Sequence, residues 1–151
     1  MRLAFLIFLS VFMTNALADD HVVDLRLTMN GFRNDKGVVR IAITNTREAF
    51  EAQKDDPLPF RKVSTTIHNG KASLVIESLP KGEYAIKVFH DENNNNNLDL
   101  NSLGIPKEEY GFSNNVRVRF GPPEYEEARF QLKAAGQEIR ILIQTPGSAR
   151  K

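Results

Sequence analysis

Along most of its length the chain alternates apolar and polar residues with a period of two, and this pattern restricts the fold more than any other feature. Val23, Leu25, Leu27 and Met29 fall on one side of an extended segment, with Asp24, Arg26 and Thr28 on the other. Successive side chains of a strand point to opposite faces, so the spacing specifies strands with one buried and one wet face. After the turn residues Asn34-Asp35-Lys36-Gly37, the residues Val39, Ile41 and Ile43 repeat the pattern. Asn69-Gly70 tolerates the positive φ angles of a type I′ turn and predicts a hairpin. That register sets Ile67 opposite Ala72, Thr65 opposite Leu74 and Val63 opposite Ile76. Beyond Leu79-Pro80-Lys81-Gly82, a further strand carries Tyr84, Ile86, Val88 and His90 on one face. Ala128, Phe130 and Leu132, and then Ile139, Ile141 and Ile143 after the Gly136 turn, give the last two. Thr46 is placed to cap a short helix over Arg47 to Gln53, which Pro57 and Pro59 end; it reads as a crossover between sheets. The expected fold is all-β: an antiparallel seven-stranded β-sandwich with one short crossover helix and a long loop.

The first eighteen residues stand apart from this pattern. Arg2 is followed by an apolar run from Leu3 to Met13, broken only by Ser10, and Ala16-Leu17-Ala18 places small residues where a signal peptidase reads them. Residues 1–18 therefore read as a secretory signal. About eleven apolar residues span only about 16 Å as a helix, roughly half a bilayer core, so membrane insertion is not expected. Residues 19–151 then form a single domain of ordinary size, periplasmic or secreted. A chain of that length buries enough surface to fold without disulfides, and the sequence has no cysteine. Thiol catalysis and Cys-ligated metals are thereby excluded. Lys plus Arg number 20 and Asp plus Glu 19, and loss of Arg2 equalises them. No basic stripe suits nucleic acid.

The run "HDENNNNNLDLN", residues 90 to 101, is the one biased segment. A calcium loop winding round a single ion presents oxygen ligands at alternate positions. Counting from Asp91, alternate positions supply Asn93, Asn95, Asn97 through its backbone carbonyl, and Asp99, with Leu98 as the apolar anchor. Asn96 stands where such loops usually turn at glycine, and asparagine enters the left-handed region more readily than other non-glycine residues. Ser102 replaces the usual bidentate glutamate, which lowers the expected calcium affinity toward about 0.1–1 mM. The competing reading is a solvated turn in which the amides satisfy the backbone without an ion.

From Ser102 to Glu124 runs a long connection with little strand or helix pattern. It carries Tyr110, Phe112 and Phe120, with Tyr125 just beyond, and Asn114 and Asn115. Rings beside amides suit a sugar- or peptide-binding surface. Equally, Tyr110 and Phe112 plug the open end of the sandwich while the asparagines cap turns. His90 reads as a hydrogen-bonded histidine at the core edge, with Asp91 pointing the other way, and His21 and His68 read as exposed. Glu108-Glu109 and Glu124, Glu126 and Glu127 read as a solvated face. No nucleophile elbow and no phosphate-cradling glycine loop occurs.

The stretch "LPKGEYAIKVFHDENNNNNLDLNSLGIPKEEYGFSNN", followed by "RFGPPEYEEARFQL", resembles the small exported bacterial proteins grouped as domain of unknown function 2141. The His-Asp pair, the alternating Asp/Asn loop, "GIPKEEYGFSNN" and Phe-Gly-Pro-Pro carry the resemblance, which covers most of the chain after the signal. The family typically has glycine where Asn96 stands. The resemblance implies a secreted Ig-like or transthyretin-like β-sandwich, close to carboxypeptidase-regulatory-like domains, and strengthens the calcium reading. It implies no activity. The transthyretin-like hydroxyisourate hydrolases end in Tyr-Arg-Gly-Ser, whereas this chain ends "QTPGSARK". The expectation is a non-enzymatic exported module, stabilised by calcium, that binds a protein, peptide or glycan at the cell envelope. The alternative is a small envelope hydrolase using the loop cation or the carboxylates near Tyr110.

Overall fold

The computed structural model describes residues 21–52, 57–118 and 121–146. The signal-like segment, Gln53 and Phe120 lie outside them. The strands are β1 (Val22–Asn30), β2 (Val38–Thr44), β3 (Arg61–Thr65), β4 (Lys71–Pro80), β5 (Gly82–Asp91), β6 (Tyr110–Phe112), β7 (Phe130–Leu132) and β8 (Gln137–Leu142). Two short helices, α1 (Arg47–Glu51) and α2 (Tyr125–Ala128), and a 3-10 turn at Ser113–Asn115 complete the elements. The first sheet has the order β4-β1-β8 and the second β3-β2-β5-β6, with β7 pairing the start of β5. The protein is all-β with a sandwich-like arrangement, as the alternation requires.

The alternating apolar residues form the core. Leu25, Leu27 and Met29 of β1 meet Val39, Ile41 and Ile43 of β2, Tyr84, Ile86 and Val88 of β5, and Ile141 of β8 in one buried cluster. Each fully buried Leu or Ile contributes about 1.5–3 kcal/mol of transfer free energy, so the inward faces provide the main driving force. A smaller cluster of Phe50, Ala85, Tyr125 and Ala128, with Phe112 and Val116 packed against it, lies where α1 and α2 meet the other side of β5. Arg47 pairs with Glu126 between the two helices.

Several connections depart from the sequence reading. Asn69 and Gly70 do turn with φ of 53° and 71°, and His68 and Lys71 form a bridge across them. Beyond that bridge the strands separate: Thr65 pairs with Val39 of β2, and Ala72 pairs with Met29 of β1. The expected Thr65–Leu74 and Val63–Ile76 pairs are not made. Splaying into two sheets lets Ile67 and Ala72 close the core, which a flat hairpin would leave open on one side. Asp35 holds the corner, its carboxylate accepting from Asn69 N at 2.7 Å and Gly70 N at 2.9 Å. These two bonds hold the Asp35 carboxyl below the usual aspartate value.

Thr46 caps α1 as expected, its hydroxyl accepting from Ala49 N. The helix nevertheless links β2 to β3, which are neighbours in one sheet, so it is not a crossover between sheets. A second helix, α2, was not anticipated; Glu124 and Glu127 form its capping box. Eight strands replace the expected seven, because the long connection contributes β6. The sandwich is also not wholly antiparallel: β8 runs parallel to β1, in register from Leu25↔Gln137 to Asn30↔Leu142. The reason is that β7 and β8 belong to different sheets, so the Gly136 turn carries the chain across the core instead of closing a hairpin.

Gly37 shows how closely the loop at the end of β5 is held. Its φ is +65°, and a Cβ there would lie 2.0 Å from the backbone oxygen of Asp91. Gly37→Ala is therefore expected to destabilise the protein by about 2–5 kcal/mol, combining left-handed strain with overpacking. Urea denaturation checks this, and a midpoint unchanged from wild type would show that the strands part easily here.

Candidate functional site

The expected metal residues sit where β5 leaves the second sheet. Asp91 is the last residue of β5, and its side chain is fully buried. Its Oδ2 accepts from Arg40 Nε at 2.9 Å and from Asn96 N at 3.0 Å, and its Oδ1 accepts from Asn95 N at 3.0 Å. The loop thus winds round the Asp91 carboxylate. Asn96 takes φ of 65° and Asn94 φ of 57°, so asparagine supplies the left-handed backbone at the expected turn.

The alternate side chains of the loop do converge. Asn93 Nδ2 and Asn95 Nδ2 donate to the two carboxylate oxygens of Asp99, at 2.8 and 3.0 Å. Their own oxygens accept from Asn95 N and Asn97 N, closing local Asx turns. The Asn97 amide donates to the backbone oxygen of Asn95. Leu98 is half-buried and belongs to neither core cluster, so it does not anchor the loop in the way its position suggests.

Glu108 and Glu109, read as part of a solvated face, are instead buried and organise the site. Glu108 accepts from Glu92 N at 3.0 Å and Asp99 N at 3.1 Å, clamping the two ends of the loop together. Glu109 accepts from the backbone N and the Nε of Arg33, each at 3.0 Å, and from the Thr145 hydroxyl at 3.1 Å. It also meets His90 Nδ1 at 3.2 Å, while His90 Nε2 lies 2.6 Å from the Lys36 carbonyl oxygen. Each ring nitrogen thus faces an oxygen within hydrogen-bonding distance. Phe32 packs edge-on against the imidazole, 5.4 Å between centroids. His90 is thus the buried, hydrogen-bonded histidine the alternation implied. The two glutamates carried no signal in the sequence: the Glu109 donors Arg33 and Thr145 lie far along the chain, and the backbone amides that bind Glu108 face it only once the loop has closed.

The four expected binding residues divide. Tyr110 and Phe112 stand on the outer face of the second sheet, 5.9 Å apart between ring centroids. The amide of Asn114 donates to the Glu127 and Arg129 carbonyls, and Asn115 Oδ1 accepts from Leu142 N. With φ of 60° and 55°, these two asparagines turn the backbone and tie it to α2 and β8.

Register places two rows of side chains across that outer face. One row runs Ser64, Arg40, Phe89, Tyr110, and the next Lys62, Ala42, Lys87, Phe112. The small Ala42 leaves a depression between its neighbours. Leu98, Leu100, Ile105 and Pro106 of the loop line one end of this concave face, and Phe50 lies at the other. Burial pushes the Tyr110 hydroxyl above the usual tyrosine value.

A two-sheet β protein with a sheet-end loop organised by buried carboxylates is the class these features define. The family described as "Uncharacterized protein conserved in bacteria (DUF2141)" matches residues 27–140, and the chain belongs to it. No curated protein and no solved structure matches the chain. Among the described residues, no helix is long and apolar enough to cross a membrane. Nor do they contain a group of three or more His, Cys, Asp or Glu side chains placed to hold a metal.

Burial alone would raise the Asp91 carboxyl, but the Arg40 hydrogen bond and the Asn96 and Asn95 amides outweigh it and hold it below the ordinary value of 3.8. A carboxyl depressed on folding contributes stability above its unfolded value and loses it as pH falls through the folded one. Arg40→Ala is therefore expected to cost about 3 kcal/mol near neutral pH, by leaving a buried charge without its partner. The deficit should shrink as pH falls below 3.8 toward the lower folded value, where Asp91 becomes neutral. Urea titrations of both proteins at pH 7 and pH 3 check this; an equal deficit at the two values would assign the loss to packing.

Proposed function

We propose that the protein is an exported, non-enzymatic β-sandwich module whose asparagine loop takes a calcium ion and so steadies a binding surface for an envelope partner. The observation that carries the reading is the convergence of Asn93 and Asn95 on the Asp99 carboxylate. Side chains from three odd-numbered positions of the loop thus lie together, with the amide nitrogens of Asn93 and Asn95 turned to Asp99, near where a loop curling round a hard cation would gather its oxygens. Charge supports it too. Among the described residues, neither Asp99 nor the buried Glu108 forms an ion pair, whereas Asp91 has Arg40. A bound cation would offset that negative charge.

The donor set fits calcium in kind: carboxylate and amide oxygens, with no nitrogen or sulfur ligand needed. Asp91, Asn93, Asn95 and Asp99 would hold the ion, with Asn97 contributing its carbonyl. The two amides would turn their oxygens toward Asp99 and give up their local Asx bonds. That exchange is consistent with the modest affinity expected from the loss of a twelfth-position glutamate.

The alternative hydrolase reading is less well supported. Glu108 and Glu109, the carboxylates nearest Tyr110, are engaged by backbone amides, Arg33, His90 and Thr145, which leaves neither positioned as a free acid or base.

Calcium at ten times its dissociation constant should add about 1.4 kcal/mol to stability. For a domain of this size that is a rise in Tm of about 3–8 °C over the protein in chelator. Asp99→Ala should abolish the rise while keeping a cooperative melt. Differential scanning calorimetry with calcium, magnesium and chelator decides the matter. Identical midpoints in calcium and chelator, at calcium levels up to several millimolar, would refute the stabilising role.

A further inference from the structure

The outer face of the second sheet has a chemistry of its own. Phe89 of β5 and Tyr110 of β6 are cross-strand partners on it, and Phe112 lies in the next row. All three are half-buried, so part of each ring remains open to solvent. The Tyr110 hydroxyl makes no hydrogen bond among the described residues. Among the described residues, the charged ones lining the face are Arg40, Lys62, Lys87 and Arg117, with Glu51 as the acidic one. Arg40 is anchored through Nε by Asp91, while its two terminal nitrogens have no hydrogen-bond partner among the described residues. Arg117 is exposed at the rim.

We propose that this face binds an anionic polysaccharide, a chain of uronic-acid class, laid over the aromatic residues with its carboxylates toward Arg40 and Arg117. This rests on reading the protein as a binding module, and not on its calcium loop. Aromatic rings offer flat apolar area to the C–H faces of sugar rings, and the planar guanidinium matches a carboxylate with two parallel bonds. An anchored Arg40 loses little side-chain freedom when it does so. An extended acidic peptide suits the face less well. The backbone groups of β2 and β5 are engaged in ladders on both sides, so a peptide laid flat on them would find no partners for its own N–H and C=O groups. A sugar chain has no such backbone to satisfy.

The test is isothermal titration with polygalacturonate, dextran and polyglutamate, in chelator so that the calcium reading stands or falls separately. Polygalacturonate should bind and dextran should not. Phe89→Ala and Arg117→Glu should each weaken polygalacturonate binding at least tenfold. Arg140→Ala, on the exposed side of the first sheet, should bind as wild type, and circular dichroism confirms that the variants are folded. Polyglutamate binding as tightly as polygalacturonate would overturn the proposal in favour of an acidic peptide. Failure of polygalacturonate to bind, or undiminished binding by both face variants, would overturn it outright. So would sedimentation showing a dimer that Phe89→Ala dissociates, since the face would then be covered by a second copy.

Discussion

The buried carboxylate of Asp91 joins three parts of the molecule at one point. A carboxylate taken out of water loses several kcal/mol of hydration unless charge and hydrogen bonds replace it. Here the replacement comes from Arg40 on the outer face of β2 and from the backbone of Asn95 and Asn96 in the loop. The same group therefore sets where the loop starts, where it turns, and where the Arg40 guanidinium stands on the face beside it. Gly37, just before the Val38–Asp91 pair that begins the β2–β5 ladder, lies close against the Asp91 backbone.

Glu108 and Glu109 extend the same principle. One clamps the ends of the loop through two backbone amides; the other draws Arg33, His90 and Thr145 together. The long connection is thus ordered mainly by carboxylates accepting from backbone and basic groups, and only secondarily by Tyr110 and Phe112, which pack on the outer face of the second sheet instead of plugging the end of the sandwich. Such networks stabilise when every member is satisfied, and no buried side-chain nitrogen or oxygen among the described residues is left without a partner. The two sheets also differ in outward character. The helices and their small apolar cluster cover part of the second sheet, leaving its aromatic and basic rows as a bounded face.

The strand faces were legible because side-chain alternation is a local property. Leu25, Leu27, Met29, Val39, Ile41, Ile43, Tyr84, Ile86 and Val88 are buried where the period-two pattern put them. The Thr46 cap and the Asn69-Gly70 turn were legible for the same reason, since each depends on a few adjacent residues. So was the left-handed bend at Asn96. Strand partners were not. The Asn69-Gly70 turn specifies the local reversal, but whether the strands beyond it stay paired depends on β1 and β2 competing for their edges.

Local sequence alone therefore determined that the chain is built of half-buried strands, where its tight turns fall, and that oxygen donors alternate along one loop. Tertiary structure decided that β3 and β4 part, that β8 lies parallel to β1, and that Glu108 and Glu109 are interior groups. The physical reason is range. Backbone geometry and side-chain alternation act between neighbours, whereas a carboxylate's burial is tolerable only once Arg33, His90, Thr145 or a distant amide has been brought to it by the fold.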